Sequence, residues 1–277
     1  SRWFAGGRGL SSFRESMLND QRIQSITDFM SSKECFPGVN IAGGVCYFLW
    51  NKNHNGECEV KTIFKDSVSI LNRPLLEGNI NTFIRFNEAI PIVRKIELYN
   101  EKKFIDIVSS RKPFGIPTNF SNFKSEKSGA NNIKLYRFGD NGFITNAEIE
   151  NNRNLVKMHK VFIAKAYGER GDFPYNVIAR PFLGEPDSIC TETYLVINSN
   201  NSKIESENIM SYISTKFFRF LVLLVKNTQN AARSVYSLVP TQDFNKKWND
   251  KDLYEKYNLN TKEIEFIESM IKQMIIN

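Results

Sequence analysis

Close to its start the chain carries one short amphipathic helix and then three strand-length runs, a pattern that fits the end of an α/β domain better than a whole one. Ser12 and Glu15 stand at capping-box spacing, and Phe13, Met17 and Leu18 form the apolar side of a helix that Asn19-Asp20 ends. Ile23 to Phe29 alternates like a strand, and Glu59 to Phe64 does so again. Val45 to Trp50 is apolar throughout, which suits a buried position in a sheet. Between these runs lie a turn at Cys35-Phe36-Pro37-Gly38 and a predicted hairpin tip around His54. No first strand with a Gly-rich turn precedes them. Residues 1–66 therefore read as an α/β fragment whose earlier part lies upstream.

From Ser67 the texture changes to that of an α+β domain, predicted over 67–277. Helical periodicity runs from Ile84 to Tyr99, with Pro91 in the first turn, and Phe104 to Ser109 reads as a short helical turn. Residues 111–132, rich in Ser, Asn, Lys and Gly, read as loop. Strands are predicted at Ile133 to Phe138, Lys160 to Ala164, Asn176 to Arg180 and Thr191 to Ile197, with a short helix over Ala147 to Met158. Ser206 to Lys226 reads as one core helix, apolar on nearly every side from Phe217 to Val225. A last helix lies within Trp248 to Ile276, capped by Asn260 or Thr261, with Phe266, Met270 and Met274 on one face.

Composition narrows the function classes. There are 37 Lys and Arg against 30 Asp and Glu, and a net charge of +7 fits a polyanionic partner such as double-stranded DNA. Only two histidines are present, His54 and His159, which argues against a His-dependent triad or a His-rich metal centre. Cys35, Cys46, Cys58 and Cys190 lack the close pairs of a zinc or redox motif. No secretory signal or membrane-length apolar run is visible, so a cytoplasmic protein with reduced thiols is expected.

At "SRWFAGGRGLSSFRESMLND" followed by "CFPGVNIAGGVCYFLWNK" the chain resembles the later part of gamma-group, TaqI-like adenine-N6 DNA methyltransferases, in particular those of Type II and IIG restriction–modification enzymes. The resemblance continues through "SSRKPFGIPTNF", "ARPFLGEPDSICTETYLVI", "YISTKFFRFLVLLVKNTQNAARSVYSLVPTQDF" and "DLYEKYNLNTKEIEFIESMI". It implies that residues 1–66 end a Rossmann-like methyltransferase sheet and that 67–277 form a target-recognition domain. The family's S-adenosylmethionine site and its Asn/Asp-Pro-Pro-aromatic motif have no counterpart here. There is no Pro-Pro pair, and Gly6-Gly7-Arg8-Gly9 follows no strand, so it reads as a loop. Cofactor and catalysis are thus expected in a preceding methyltransferase part of the same protein. Any nuclease, with its Mg²⁺, is expected there too: Glu57 with Glu59, and Glu148 with Glu150, form no nuclease motif.

The resemblance also implies a role for Phe36, the aromatic residue of the turn before the apolar strand. Family enzymes flip the target adenine out of the duplex, and an aromatic ring at this position stacks on it. The alternative is a phenylalanine that closes the hairpin core. In the recognition domain, sequence is read by side chains that reach base edges while cations hold phosphates. Arg111-Lys112 and Thr118-Asn119 flank Phe114-Gly115, a turn suited to approach a groove. Lys134, Arg137, Lys160, Lys165, Arg170, Arg180, Lys216 and Arg219 are candidate phosphate contacts, each with a solvated surface charge as its alternative. Thr191-Glu192-Thr193 reads as the polar face of a half-buried strand. Two other readings remain: a free-standing DNA specificity module without enzyme activity, which has no need of half a catalytic sheet, and an RNA methyltransferase fragment, which would prefer RNA.

Overall fold

The computed structural model describes residues 2–5, 10–39, 41, 43–130, 132–168, 173–197, 202–226 and 228–275. The chain divides into two compact units, 1–100 with 259–263, and 101–258 with 264–277. The predicted boundary at 66/67 falls instead on a two-residue turn within a β-hairpin, so residues 67–73 belong to the first sheet.

The first unit opens with α1 (Arg2–Ala5) and α2 (Ser11–Leu18). Ser12 and Glu15 make no capping box; Leu10 occupies the cap position without a side-chain bond. Four strands follow: β1 (Ile23–Phe29), β2 (Val45–Trp50), β3 (Cys58–Phe64) and β4 (Ser67–Arg73). They form a mixed sheet in the order β2-β1-β3-β4, with β1 parallel to β3 and the outer strands antiparallel to their neighbours. Because β2 and β3 flank β1, His54 lies in the connection that crosses from one side of β1 to the other, not at a hairpin tip. On the inner face Ile26, Cys58 and Val60 pack with Phe4, Leu18, Leu75 and Phe83. Two buried polar clips close that face. Asp28, fully buried, accepts two bonds from the Arg85 guanidinium at 2.6 and 2.7 Å. Arg73, also fully buried, donates to Asn87 Oδ1 at 3.0 Å and to the carbonyl of Ile84, while Asn87 donates to the carbonyl of Val60 at 2.8 Å. Then comes α3 (Ala89–Glu97), with Pro91 in its first turn and Ile92, Val93 and Ile96 buried.

β2 corrects an expectation. It is an edge strand, and Tyr47, Phe48, Leu49 and Trp50 are 42–59% exposed. An unbroken apolar run satisfies a covered strand and an uncovered one equally, so the sequence does not tell them apart. The register puts Val45, Phe29, Ile63 and Val68 in one row across the outer face, and Tyr47 and Ile70 in the next.

The second unit holds two three-stranded sheets. β5 (Ile133–Tyr136), β6 (Gly142–Ile144) and β9 (Ser188–Cys190) form one, in the order β6-β5-β9; β7 (Lys160–Ala164), β8 (Phe182–Gly184) and β10 (Tyr194–Ile197) form the other, in the order β10-β7-β8. Phe114, Ile116, Ile133, Leu135, Ile144, Phe162, Ile189 and Val196 are buried in one core. Two expected elements differ. Residues 147–158 form two short 3₁₀ turns, and 176–180 is irregular, with Val177 at φ +72°.

The predicted core helix is two helices, α4 (Lys203–Ser214) and α5 (Lys216–Val225), bent by 65°. Thr215 adopts an extended conformation and caps α5 by accepting the Phe218 N–H at 3.1 Å. Arg219, fully buried, reaches back to the carbonyls of Ser214 at 3.0 Å and Thr215 at 3.2 Å, and across to that of Asn176 at 3.4 Å. The bond to Ser214 satisfies a carbonyl at the open end of α4, where an unpaired group would be costly. The tail carries α6 (Asp250–Lys256) and α7 (Thr261–Met270), and Asn260 caps α7 in a reciprocal pair of bonds with Glu263. Among the described residues no single helix is long and apolar enough to cross a membrane.

Candidate nucleic-acid interface

The segment 110–120 has no regular structure, yet it is fixed from below. Phe114 and Ile116 are buried at 0% and 1% exposure, so the turn presents its cations outward and its aromatic ring inward. That corrects the expectation that Phe114-Gly115 approaches a groove: the ring is the anchor of the loop. Lys112 and Gly115 take positive φ of +54° and +84°, and a side chain at Gly115 would strike Glu150 at 2.6 Å. Asn152 donates to the Pro113 carbonyl at 2.6 Å, and the Glu192 N–H to that of Ile116 at 2.9 Å.

The last of these bonds brings a carboxylate to the cations. The expected strand over 191–197 breaks: β9 ends at Cys190, β10 begins at Tyr194, and Thr191 to Thr193 make a turn. Glu192 sits in that turn with its side chain 13% exposed. Its carboxylate accepts from Arg111 Nε at 2.9 Å, Arg111 Nη2 at 3.4 Å and the Thr118 hydroxyl at 3.3 Å, and Lys165 Nζ lies 4.0 Å away. The hydrogen bond from Arg111 holds the carboxyl below the usual range, and the charges of Lys165 and Lys112 act in the same direction. The same bond raises the Arg111 pKa. Three predicted residues, Arg111, Thr118 and Lys165, thus converge on a carboxylate that residue type alone does not single out. Its one sequence signal is an acid between two threonines, a pattern a half-buried strand also produces.

The other candidates separate into three groups. Lys134 and Arg137 lie on β5 and at its end; the Lys134 ammonium stands 4.7 Å over the Tyr136 ring, and the Arg137 guanidinium 4.5 Å over Phe123. Asn119 and Arg180 are exposed on irregular segments, Arg180 two residues before β8. Lys160 and Arg219 are fully buried and Lys216 is paired with Glu268, so these three are corrected to structural roles. Lys160 donates to the carbonyls of Met158 and Glu185, and burial lowers its pKa to about 8. Arg170 and the Gly6–Gly9 stretch lie outside the described residues.

In the first unit Phe36 is 49% exposed, which rules out the closed hairpin core. Its loop follows the carboxyl end of β1. A capping box joins Ser31 and Glu34, and the Ser32 hydroxyl donates to the Val39 carbonyl and accepts the Ile41 N–H, both at 2.8 Å. The Phe36 N–H donates to the Ser32 carbonyl at 2.7 Å. The ring is thereby presented from a loop closed on itself. Gly44, at φ +77°, passes too near the carbonyls of Phe29 and Met30 to carry a side chain.

Comparison with known proteins gives partial similarity. No family model matches the chain. A stretch of 51 residues, 18% of the chain, is 39% identical to an uncharacterized adenine-specific methylase of Mycoplasma pneumoniae, and spans 12% of that protein. Among solved structures, the type IIG restriction endonuclease BpuSI aligns with 94% of this chain and 41% of its own, at 13% identity and a TM-score of 0.34, a likeness too loose to assign a fold.

Proposed function

We propose that this chain is the DNA-recognition piece of a site-specific adenine-N6 methyltransferase of a restriction–modification system. The observation that carries the reading is the gathering of Arg111 and Thr118, from an outward-facing loop with a buried anchor, and Lys165 around Glu192. The similarity to an adenine-specific methylase supports the choice of enzyme class. Arginine and lysine neutralise phosphates, and arginine also reads guanine bidentately. On this reading Phe36 stacks on the flipped adenine, and S-adenosylmethionine is held by a methyltransferase domain beyond these residues. That domain also covers the outer face of the first sheet, where Tyr47, Val68 and Ile70 are 56–59% exposed, because a contiguous apolar patch of this kind marks an interaction surface.

The test is binding of a labelled mixed-sequence duplex to the chain across a salt series. A linear fall of log affinity with log salt is expected for duplex DNA, weaker for the matching RNA duplex. Absent or salt-independent binding overturns the proposal, and tighter binding of RNA redirects it. In cells carrying the full-length gene, adenine methylation mapping is expected to show one modified motif; no motif refutes the methyltransferase assignment.

A further inference from the structure

The β5–β6 hairpin pairs Ile133 with Ile144, Lys134 with Phe143 and Leu135 with Gly142, and residues 137–141 form its tip. The tip carries Phe138, which is 77% exposed. Gly139 follows at φ +84° and turns the chain back. The hairpin beneath is braced. Lys124 and Phe143 exchange backbone hydrogen bonds at 2.9 and 2.8 Å, and the Phe123 ring fills the space a side chain at Gly142 would need. β9 pairs with β5 on its other side. The ring is thus presented outward from a ribbon braced on both sides.

Cations flank it. Lys134 and Lys124 both pair across to Phe143 and so share one face of the ribbon. Arg137 lies against the Phe123 ring, its Nη1 donating to the Asp140 carbonyl at 3.2 Å and its Nε meeting no acceptor. Asp140 at the tip and Glu126 in the preceding loop are the nearby acids in sequence. A two-stranded ribbon fits the major groove, and an apolar ring at the tip of a DNA-bound element can separate adjacent base pairs while cations hold the phosphates on either side.

We infer that Phe138 is a wedge that enters the base stack of duplex DNA, with Arg137, Lys134 and Lys124 holding the backbone beside it. The inference rests on the DNA-recognition reading and adds a deformation of the duplex to it. A wedge unwinds DNA, whatever the sequence bound. A relaxed plasmid treated with topoisomerase I in the presence of the chain is therefore expected to shift in linking number. Phe138→Ala is expected to lose that shift while keeping the salt dependence of binding, because the ring carries no charge. Phe138→Trp is expected to keep the shift and to have its added fluorescence quenched by a mixed-sequence duplex, with Phe138→Ala as the background. If the unaltered chain binds no DNA, the recognition reading falls and the wedge with it. If it binds but gives no shift, or if Phe138→Ala leaves the shift intact, the wedge is overturned and recognition stands.

Discussion

Glu192→Gln isolates the role of the carboxylate at the cation cluster. In the native protein two arginine bonds and one lysine at 4.0 Å are directed at Glu192, so some of the positive charge there is already neutralised. Glutamine keeps the shape and an acceptor but removes the charge. Arg111 has 68% of its side chain exposed, so the loss of this pair costs little stability, and the thermal midpoint is expected to move little. DNA binding is expected to change more. Freed from its counter-charge, Arg111 neutralises one further phosphate, and each such contact steepens the log–log salt dependence by about 0.9. Between about 50 and 200 mM salt, that slope corresponds to roughly a three- to fourfold greater loss of affinity than in the native chain. Binding at low salt tightens, while discrimination between sequences falls because Arg111 is no longer oriented. The assay is fluorescence anisotropy with a duplex over a salt series. An unchanged or shallower slope, with the protein folded, refutes the idea that Glu192 neutralises Arg111 and keeps it from phosphate.

Three further outcomes test the scaffold. Asp28→Asn leaves the half-buried Arg85 without its carboxylate and is expected to cost about 3–5 kcal/mol in urea unfolding, with partial recovery on also changing Arg85 to Met; an unchanged midpoint refutes the clip. Arg219→Leu removes the donor to the Ser214 carbonyl, while the Thr215 and Asn176 carbonyls keep the backbone N–H groups of residue 219 and Ile178, and is expected to cost about 1–3 kcal/mol in thermal unfolding; Arg219→Lys is expected to restore little because a single ammonium cannot span all three, and an unchanged midpoint in Arg219→Leu refutes the role. The Lys160 amine is pushed down by burial from 10.5 to about 8, so between these values the unfolded chain holds a proton the folded chain has lost. Stability therefore rises with pH across that window, by at most about 3 kcal/mol, and Lys160→Met is expected to remove this rise; an identical pH profile in the variant overturns the account.

Some strands are legible in the sequence because their apolar patterns are local, whereas β4, β6, β8 and β9 are not, β6, β8 and β9 being only three residues long. β1, β3 and β7 lie within a residue of where the pattern puts them. The bend at Thr215 is not legible, because an apolar run continues straight through it and the determinant is Arg219 folding back on carbonyls behind it. The two-residue turn at Lys65-Asp66 resembles a domain boundary because composition changes there, while the pairing of β3 with β4 runs across it. For Lys160 and Arg219 charge alone suggests the surface. Both are buried because each donates to several carbonyls, a relation between segments that no local pattern carries.

The cation cluster shows how far residue type reaches without geometry. Arg111, Thr118 and Lys165 are types that hold phosphate or read bases, and the fold does bring them together. What gathers them is an acid 81 positions from Arg111, and what holds their loop is the ring of Phe114. The same division recurs at the β5–β6 ribbon, where Phe123 fixes Arg137 and leaves Phe138 outside. Aromatic rings packed beneath set the position of each exposed loop, and cations are presented from rigid supports instead of from mobile tails. Rigid presentation limits the entropy lost on binding. Under the proposed DNA-recognition role it also gives charges a fixed register on a repeating phosphate lattice, which sequence reading requires and general adhesion to DNA does not. The anchors Phe114 and Phe123 are therefore expected to matter for discrimination between sequences at least as much as the cations they support.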